Sequence, residues 1–275
     1  MWTQWPGLIA TGFWTRLNWL LFQKIRLPEE STPRLVELAA LLRPFQAQGE
    51  SKTRLGRSRD GGYVMLDDFE GITTALSLGI GDDVSWDLDL ARRGIPVEQY
   101  DHTIPRAPKP HPLFTFHPQR VAAVADCTGP GMRSLTDLLQ EARDRRQDLI
   151  LKIDIEGDEW EIFAQIDPEL LKCVRQITGE FHGFREVMDD AWYRRATLAL
   201  TRLTMNHAVV HLHGNNIGQR LVAGGIVFPE SLEITLANRE RYRLAPNREP
   251  MPGRWDRRNH PARPEIPLRS FLGKE

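Results

Sequence analysis

Three apolar runs in this sequence end in pairs of residues that can move protons or bind metal ions. Leu149 to Ile155 closes with Asp154 and Glu156. The run ending at Phe181 closes with Glu180 and His182, and the run before Gly214-Asn215-Asn216 closes with His211 and His213. Each pair stands at i and i+2, so its members face one way while the chain stays extended. Burying such groups unpaired costs about 2–7 kcal/mol each on transfer scales. They therefore read as rim residues rather than core, and as one cluster if the three strands are neighbours. Two chemistries fit. In one, His182 or Asp154 is the general base for an acceptor hydroxyl. In the other, Asp154, Glu180, His182 and His213 hold a divalent ion that lowers the hydroxyl pKa, and this donor set suits Mg, Mn or Fe(II) better than a closed zinc site. The plain alternatives are hydrogen-bonded structural histidines and, for Glu156-Gly157-Asp158-Glu159, an acidic first helical turn favoured by the helix dipole.

A second group of residues points to a nucleoside. Gly79 and Gly81 lie where the apolar run Thr73 to Leu78 turns into a helical pattern, and Asp101 follows about 20 residues on, at the end of the next strand. Glycine lets a backbone approach a ligand closely, and a strand-end acid can accept hydrogen bonds from both ribose hydroxyls. His102, beside Asp101, is placed at the same ligand. A dinucleotide site wants a third glycine where Val84 stands, and Asp82 and Asp83 would repel a pyrophosphate. S-adenosylmethionine has no phosphate and carries cationic groups, so acids near the turn suit it. A short-chain dehydrogenase is excluded, because no tyrosine has lysine four residues later.

These residues need a framework. The pattern predicts strands over Thr73–Leu78, Pro96–Tyr100, Leu113–His117, Leu149–Ile155, Val174–Phe181 and Ala208–Leu212. It predicts helices over Thr32–Leu42, Val84–Ala91, Met132–Ala142, Glu159–Ile166 and Ala191–Thr204. Alternation of this kind implies an α/β fold with a mostly parallel sheet and helices on both faces. The expected division is a helical extension over residues 1–50, a Rossmann-like domain over 51–242 and an irregular tail over 243–275. With six prolines and seven arginines, that tail either wraps the domain or lies in solvent. His111, His117, His207 and His260 read as surface residues.

Composition narrows the partners. Lys plus Arg total 36 and Asp plus Glu 37, a formal net charge of -1, so no basic excess supports nucleic-acid binding. Two cysteines, Cys127 and Cys173, exclude a disulfide scaffold and fit a reducing, cytoplasmic compartment. Trp2, Trp5, Trp14 and Trp19 crowd the start of the chain, followed by Lys24 and Arg26. The apolar stretch Gly7 to Phe22 is shorter than the roughly 20 residues a spanning helix needs. It suits a helix packed on the domain or on a second subunit, or peripheral contact with the inner face of a membrane.

The motifs also carry a family resemblance. LKIDIEGDEWEIF, residues 151–163, resembles the Lys-x-Asp-(Ile/Val)-Glu-Gly-x-Glu-Trp segment of FkbM-type methyltransferases. SLGIGDDVSWDLDLARRG (77–94), GRSRDGGYVML (56–66) and GPGMRSL (129–135) resemble segments of the branch related to methyltransferase-like proteins. The resemblance covers residues 55–235. It implies a class I methyltransferase fold and S-adenosylmethionine-dependent O-methyl transfer to a sugar, glycan or natural-product hydroxyl. It implies that Gly79, Gly81 and Asp101 bind the cofactor, that Asp60, Gly61 and Gly62 form a loop at its amino-acid end, and that Asp154 stands near the transferred methyl. Two other classes keep the same residues: a metal-dependent hydrolase or oxygenase built on the Asp/Glu/His cluster, and a non-catalytic membrane-associated binding protein whose working part is the Trp-rich start.

Overall fold

The computed structural model describes residues 24–271, so the Trp-rich segment lies outside the described residues. The chain enters through β1 (Lys24–Arg26) and α1 (Thr32–Leu41). Pro33 sits in the first turn of α1, where its missing N–H costs nothing, and Leu35 and Leu38 turn inward. β2 (Phe45–Ala47) leads to an antiparallel hairpin, β3 (Lys52–Gly56) and β4 (Gly62–Leu66). The alternating part follows: β5 (Thr74–Leu78), α2 (Ser85–Ala91), β6 (Val97–Tyr100) and β7 (Phe114–His117). β8 (Arg120–Ala122) pairs in parallel with β9 (Met132–Ser134). Helix α3 (Leu135–Asp144) therefore starts three residues later than the apolar spacing suggests. Ser134 stays extended and its Oγ accepts from Asp137 N at 3.0 Å, a cap that contributes about 1 kcal/mol.

β10 (Leu149–Ile153), α4 (Glu159–Gln165), β11 (Val174–Phe181) and α5 (Asp190–Asn206) run close to the expected limits. β12 (His207–Gly214) is followed by a hairpin, β13 (Arg220–Ala223) and β14 (Ile226–Pro229), then by β15 (Leu232–Asn238) and β16 (Leu244–Pro246). The central sheet has seven strands in the order β12-β15-β11-β10-β5-β6-β7. All pairs are parallel except those of β15, which runs antiparallel to both β11 and β12. The strand order reverses between β5 and β10, where open α/β sheets bind ligands beyond the carboxyl ends of their strands.

One face of the sheet carries Leu76, Leu78, Leu151 and Ile153 into the large core shared with α1, α3, α4 and α5. The other carries Ala75, Val97 and Ile150 against α2 and the β3–β4 hairpin. The second face turns polar toward the strand ends. Gln99, Ser77, Lys152, Thr178, Thr235 and His211 lie in register across six strands, all buried. Partners are supplied for five of the six: Gln99 donates to Asp87, Lys152 to Gly79 O, Thr235 to Val64 O, Thr178 and Thr235 bond each other, and His211 meets Asp256.

The segments flanking residues 51–242 belong to the same body. β1 pairs with β13, β16 pairs with β2, and Met251, Ile266, Leu268 and Phe271 are buried in the main core. Residues 243–271 wrap the domain, one of the two placements expected for the tail. No helix among them is long and apolar enough to cross a membrane.

Candidate active site

Two clefts meet at the carboxyl ends of β5, β10 and β11. The first has a volume of about 350 Å3 and is lined by Asp60, Gly61, Gly79, Gly81, Asp101 and His102 among others. Gly79 has φ +73°, and a Cβ there would stand 1.8 Å from Asp154 O, so the turn closes against β10 only with glycine. Lys152 Nζ donates to Gly79 O at 2.8 Å and ties the two strand ends together. Asp101 Oδ2 accepts from Ile80 N and Gly81 N, and Oδ1 accepts from Thr103 N and Oγ1. Burial alone would raise the Asp101 pKa; the hydrogen bonds from Thr103, Gly81 and Ile80 outweigh it and hold the carboxylate below its ordinary range. All four acceptor positions are in use, so Asp101 shapes the glycine turn, and a ribose diol would have to compete with Thr103. His102 is exposed at the cleft mouth. Gly62 lines neither cleft; a Cβ there would stand 2.0 Å from Arg57 O, so it serves the hairpin turn.

The second cleft, about 570 Å3, is lined by Glu180, His182, Trp160, Trp192, Arg185 and Asn215 among others. It shares Asp60, Asp154 and Glu156 with the first. Asp60 Oδ1 accepts from Asn215 and Asn259 at 3.2 and 3.0 Å. Tyr63 Oη donates to Asp154 Oδ2 at 2.8 Å, and burial together with the Asp154 charge raises the tyrosine pKa, so it remains a donor. Glu180, at the end of β11, accepts from Asn215 Nδ2 at 2.8 Å.

His182 stands in the middle. Its Nδ1 is 3.3 Å from Glu159 Oε1, which fixes a hydrogen on Nδ1 and aims Nε2 at the junction. Nε2 lies 3.6 Å from Glu180, 3.8 Å from Glu156 and 4.0 Å from Asp154. Burial opposes protonation of His182, but Glu159 and Glu180 outweigh it and raise its pKa; burial and the Asp154 charge raise that of Glu180. Trp160 Nε1 donates to His182 O at 2.6 Å, linking the Asp-Ile-Glu-Gly segment to this histidine. Glu156 adopts φ +61°, a left-handed conformation costing a non-glycine residue about 1–2 kcal/mol, and it stands exposed over the imidazole.

Glu159 and Tyr63 are the members of this hydrogen-bonded group that the sequence pattern hides. Glu159 is fully buried and accepts from Ile155 N as well as facing His182. In sequence it looks like any acid in a first helical turn.

The third polar pair goes elsewhere, because β15 lies between β11 and β12. His213 Nδ1 meets Glu233 at 2.9 Å and Nε2 meets Glu265 at 3.0 Å, so both nitrogens are used and it is not a ligand beside Glu180. His211 Nε2 meets Asp256 at 2.7 Å. Both are buried, so strand-end histidines here are core material with partners supplied by β15 and the tail. His207 is also buried rather than on the surface; its Nε2 bonds Val174 O, and burial pushes its pKa down to about 4.

No protein-family model matches this chain, and no curated protein matches it.

Proposed function

We propose that the protein is an S-adenosylmethionine-dependent methyltransferase of the class I α/β type that O-methylates a sugar, glycan or other small-molecule hydroxyl. The observation that carries this reading is the junction of two clefts at Asp154, on the sheet's switch point. The first cleft is acidic at its glycine turn, with Asp82, Asp83 and Asp101. Its basic side chains are engaged: Arg57 with Asp83, Arg120 with Asp158, and Lys152 with Gly79 O. Such a cleft suits a nucleoside ligand with cationic groups and no phosphate. The motif resemblance of residues 151–163 and 77–94 points the same way.

When bound, S-adenosylmethionine supplies an electrophilic methyl group. The protein supplies alignment, which can contribute about 7–11 kcal/mol of a barrier. Gly79, Gly81, Asp60 and Gly61 hold the cofactor side; Trp160 and Trp192 wall the acceptor side. The acceptor hydroxyl approaches Asp154, Glu180 and His182. Its proton is held between the Glu180 carboxylate and His182 Nε2, which are 3.6 Å apart. Glu159 holds the imidazole and Tyr63 holds Asp154 in these positions.

Calorimetric titration with S-adenosylmethionine tests the reading. A Cβ at Gly81 would meet no protein atom within 4 Å and the residue has φ +51°, a conformation asparagine tolerates. Wild-type protein should bind in the micromolar range, and Gly81→Asn should bind at least about tenfold more weakly, a loss of about 1.4 kcal/mol. Folded wild-type protein that takes up no cofactor ends the assignment.

A further inference from the structure

We propose that Asp154, Glu180 and His182 form a divalent-cation site at the junction of the two clefts, with Glu159 as its positioning residue. One ligand atom from each of the three side chains lies within 4.8 Å of the others. Donors about 2.1 Å from one ion stand about 3 Å apart when adjacent in an octahedron and about 4.2 Å when opposite. The observed separations of His182 Nε2 from Glu180 and Asp154, 3.6 and 4.0 Å, fall in that interval. Tyr63 holds Asp154 through Oδ2 and Glu159 holds His182 through Nδ1, so Oδ1 and Nε2 are the atoms left facing Glu180.

Glu159, which lines neither cleft, stands behind the imidazole and positions it. It is fully buried, and its Oε2 has no hydrogen-bond partner. A carboxylate behind a histidine fixes the tautomer that presents a lone pair, which is how metal-ligating imidazoles are oriented. The charge count agrees. Asp154, Glu156, Glu159 and Glu180 surround a single imidazole. The basic side chain on this rim, Arg185, is paired with Glu186 and Glu230. A dication restores the balance. Two carboxylates and one imidazole with open positions suit Mg, Mn or Fe(II).

The role of the ion in turnover rests on the methyltransferase reading; the site itself does not. An acceptor hydroxyl bound to the ion loses its proton more readily. The O–H bond breaks, its electron pair stays on oxygen, and the proton passes to Glu156, which is open to solvent. With the ion bound, Glu180 and His182 are ligands, and Glu156 replaces them as the proton acceptor.

Binding of Mn2+ to the full chain, followed by loss of the free-ion signal in electron paramagnetic resonance, tests the site. One ion per chain is expected. Glu180→Gln and His182→Ala should each weaken binding at least about tenfold, and Glu159→Gln about 10- to 100-fold. Glu186→Gln removes a charge from the same cleft but no donor from the group, and should leave the affinity within about twofold; the fold of each variant is checked by circular dichroism. A folded wild-type chain that binds no Mn2+ overturns the proposal. So does a Glu186→Gln loss equal to that of Glu180→Gln, which would mean a diffuse acidic field. Cofactor titration on the same preparation separates the two readings: cofactor binding without Mn2+ removes only the ion, and Mn2+ binding without cofactor removes only the methyltransferase.

Discussion

Two histidine–carboxylate groups stand on the same edge of one sheet and differ in almost everything that matters for function. Around His182, four carboxylates face one imidazole, Nε2 looks into the junction of two clefts, and Glu159 keeps an oxygen without a partner. Around His213, both ring nitrogens are taken by Glu233 and Glu265, and Asn259 donates to Glu233. Asp256 meets Nε2 of the neighbouring His211, whose Nδ1 has no partner. Residue types and strand position are the same; what differs is that both nitrogens of His213 are engaged, whereas His182 lines a cleft with Nε2 unbonded. A histidine buried away from any cleft and bonded at both nitrogens holds segments together, whereas one with a nitrogen facing a cleft can bind a ligand.

The contrast can be broken by experiment. The largest effect should be on turnover in His182→Ala, lowered about 10²- to 10⁴-fold once an acceptor is in hand, with the fold of the variant checked by circular dichroism. Activity retained in that variant would erase the functional half of the comparison. Next, His213→Ala should lower stability by about 3–5 kcal/mol, measured by denaturant unfolding, because it leaves Glu233 and Glu265 carboxylates without their buried partner. A loss no larger than that of a surface substitution would show that the tail does not seal this group.

The smallest effect sharpens the comparison through pH. Burial lowers the pKa of His213, but Glu233 and Glu265 outweigh it and raise it from 6.5 to about 10. Asp256 faces the same group with its negative charge and adds to the rise. A folded pKa above the unfolded one gives stability that is complete below pH 6.5 and is lost as pH rises through about 10. The melting temperature should therefore decline over that window, and His213→Gln should flatten the decline.

Much of the scaffold was legible. Val174–Phe181 matches β11 at both ends, and β5, β6 and β7 lie within a residue of the apolar runs that announce them. Asp154, Glu156, Glu180 and His182 were legible as a cluster because polar side chains at the ends of buried parallel strands have few other places to go. β15 was missed, although Leu232–Asn238 alternates apolar and polar residues. That omission misplaced His213, since the argument from neighbouring strands needed β12 beside β11. Met132–Ser134 looked helical because its apolar spacing continues that of α3, while pairing with β8 holds it extended.

The alternating strands and helices of the central part, the glycine turn and the polar strand ends are readable from the chain alone, because those follow from local backbone preference and from the two- and 3.6-residue periods of burial. Only the tertiary structure decided which polar groups are finished and which are not. Glu159 arrives behind His182 through the packing of α4, Tyr63 reaches Asp154 from the hairpin, and Glu233 and Glu265 reach His213 from β15 and the wrapped tail. A side chain's hydrogen-bonding capacity is written in its type, but whether it is filled depends on neighbours far away in the chain, and it is the unfilled capacity that a ligand finds.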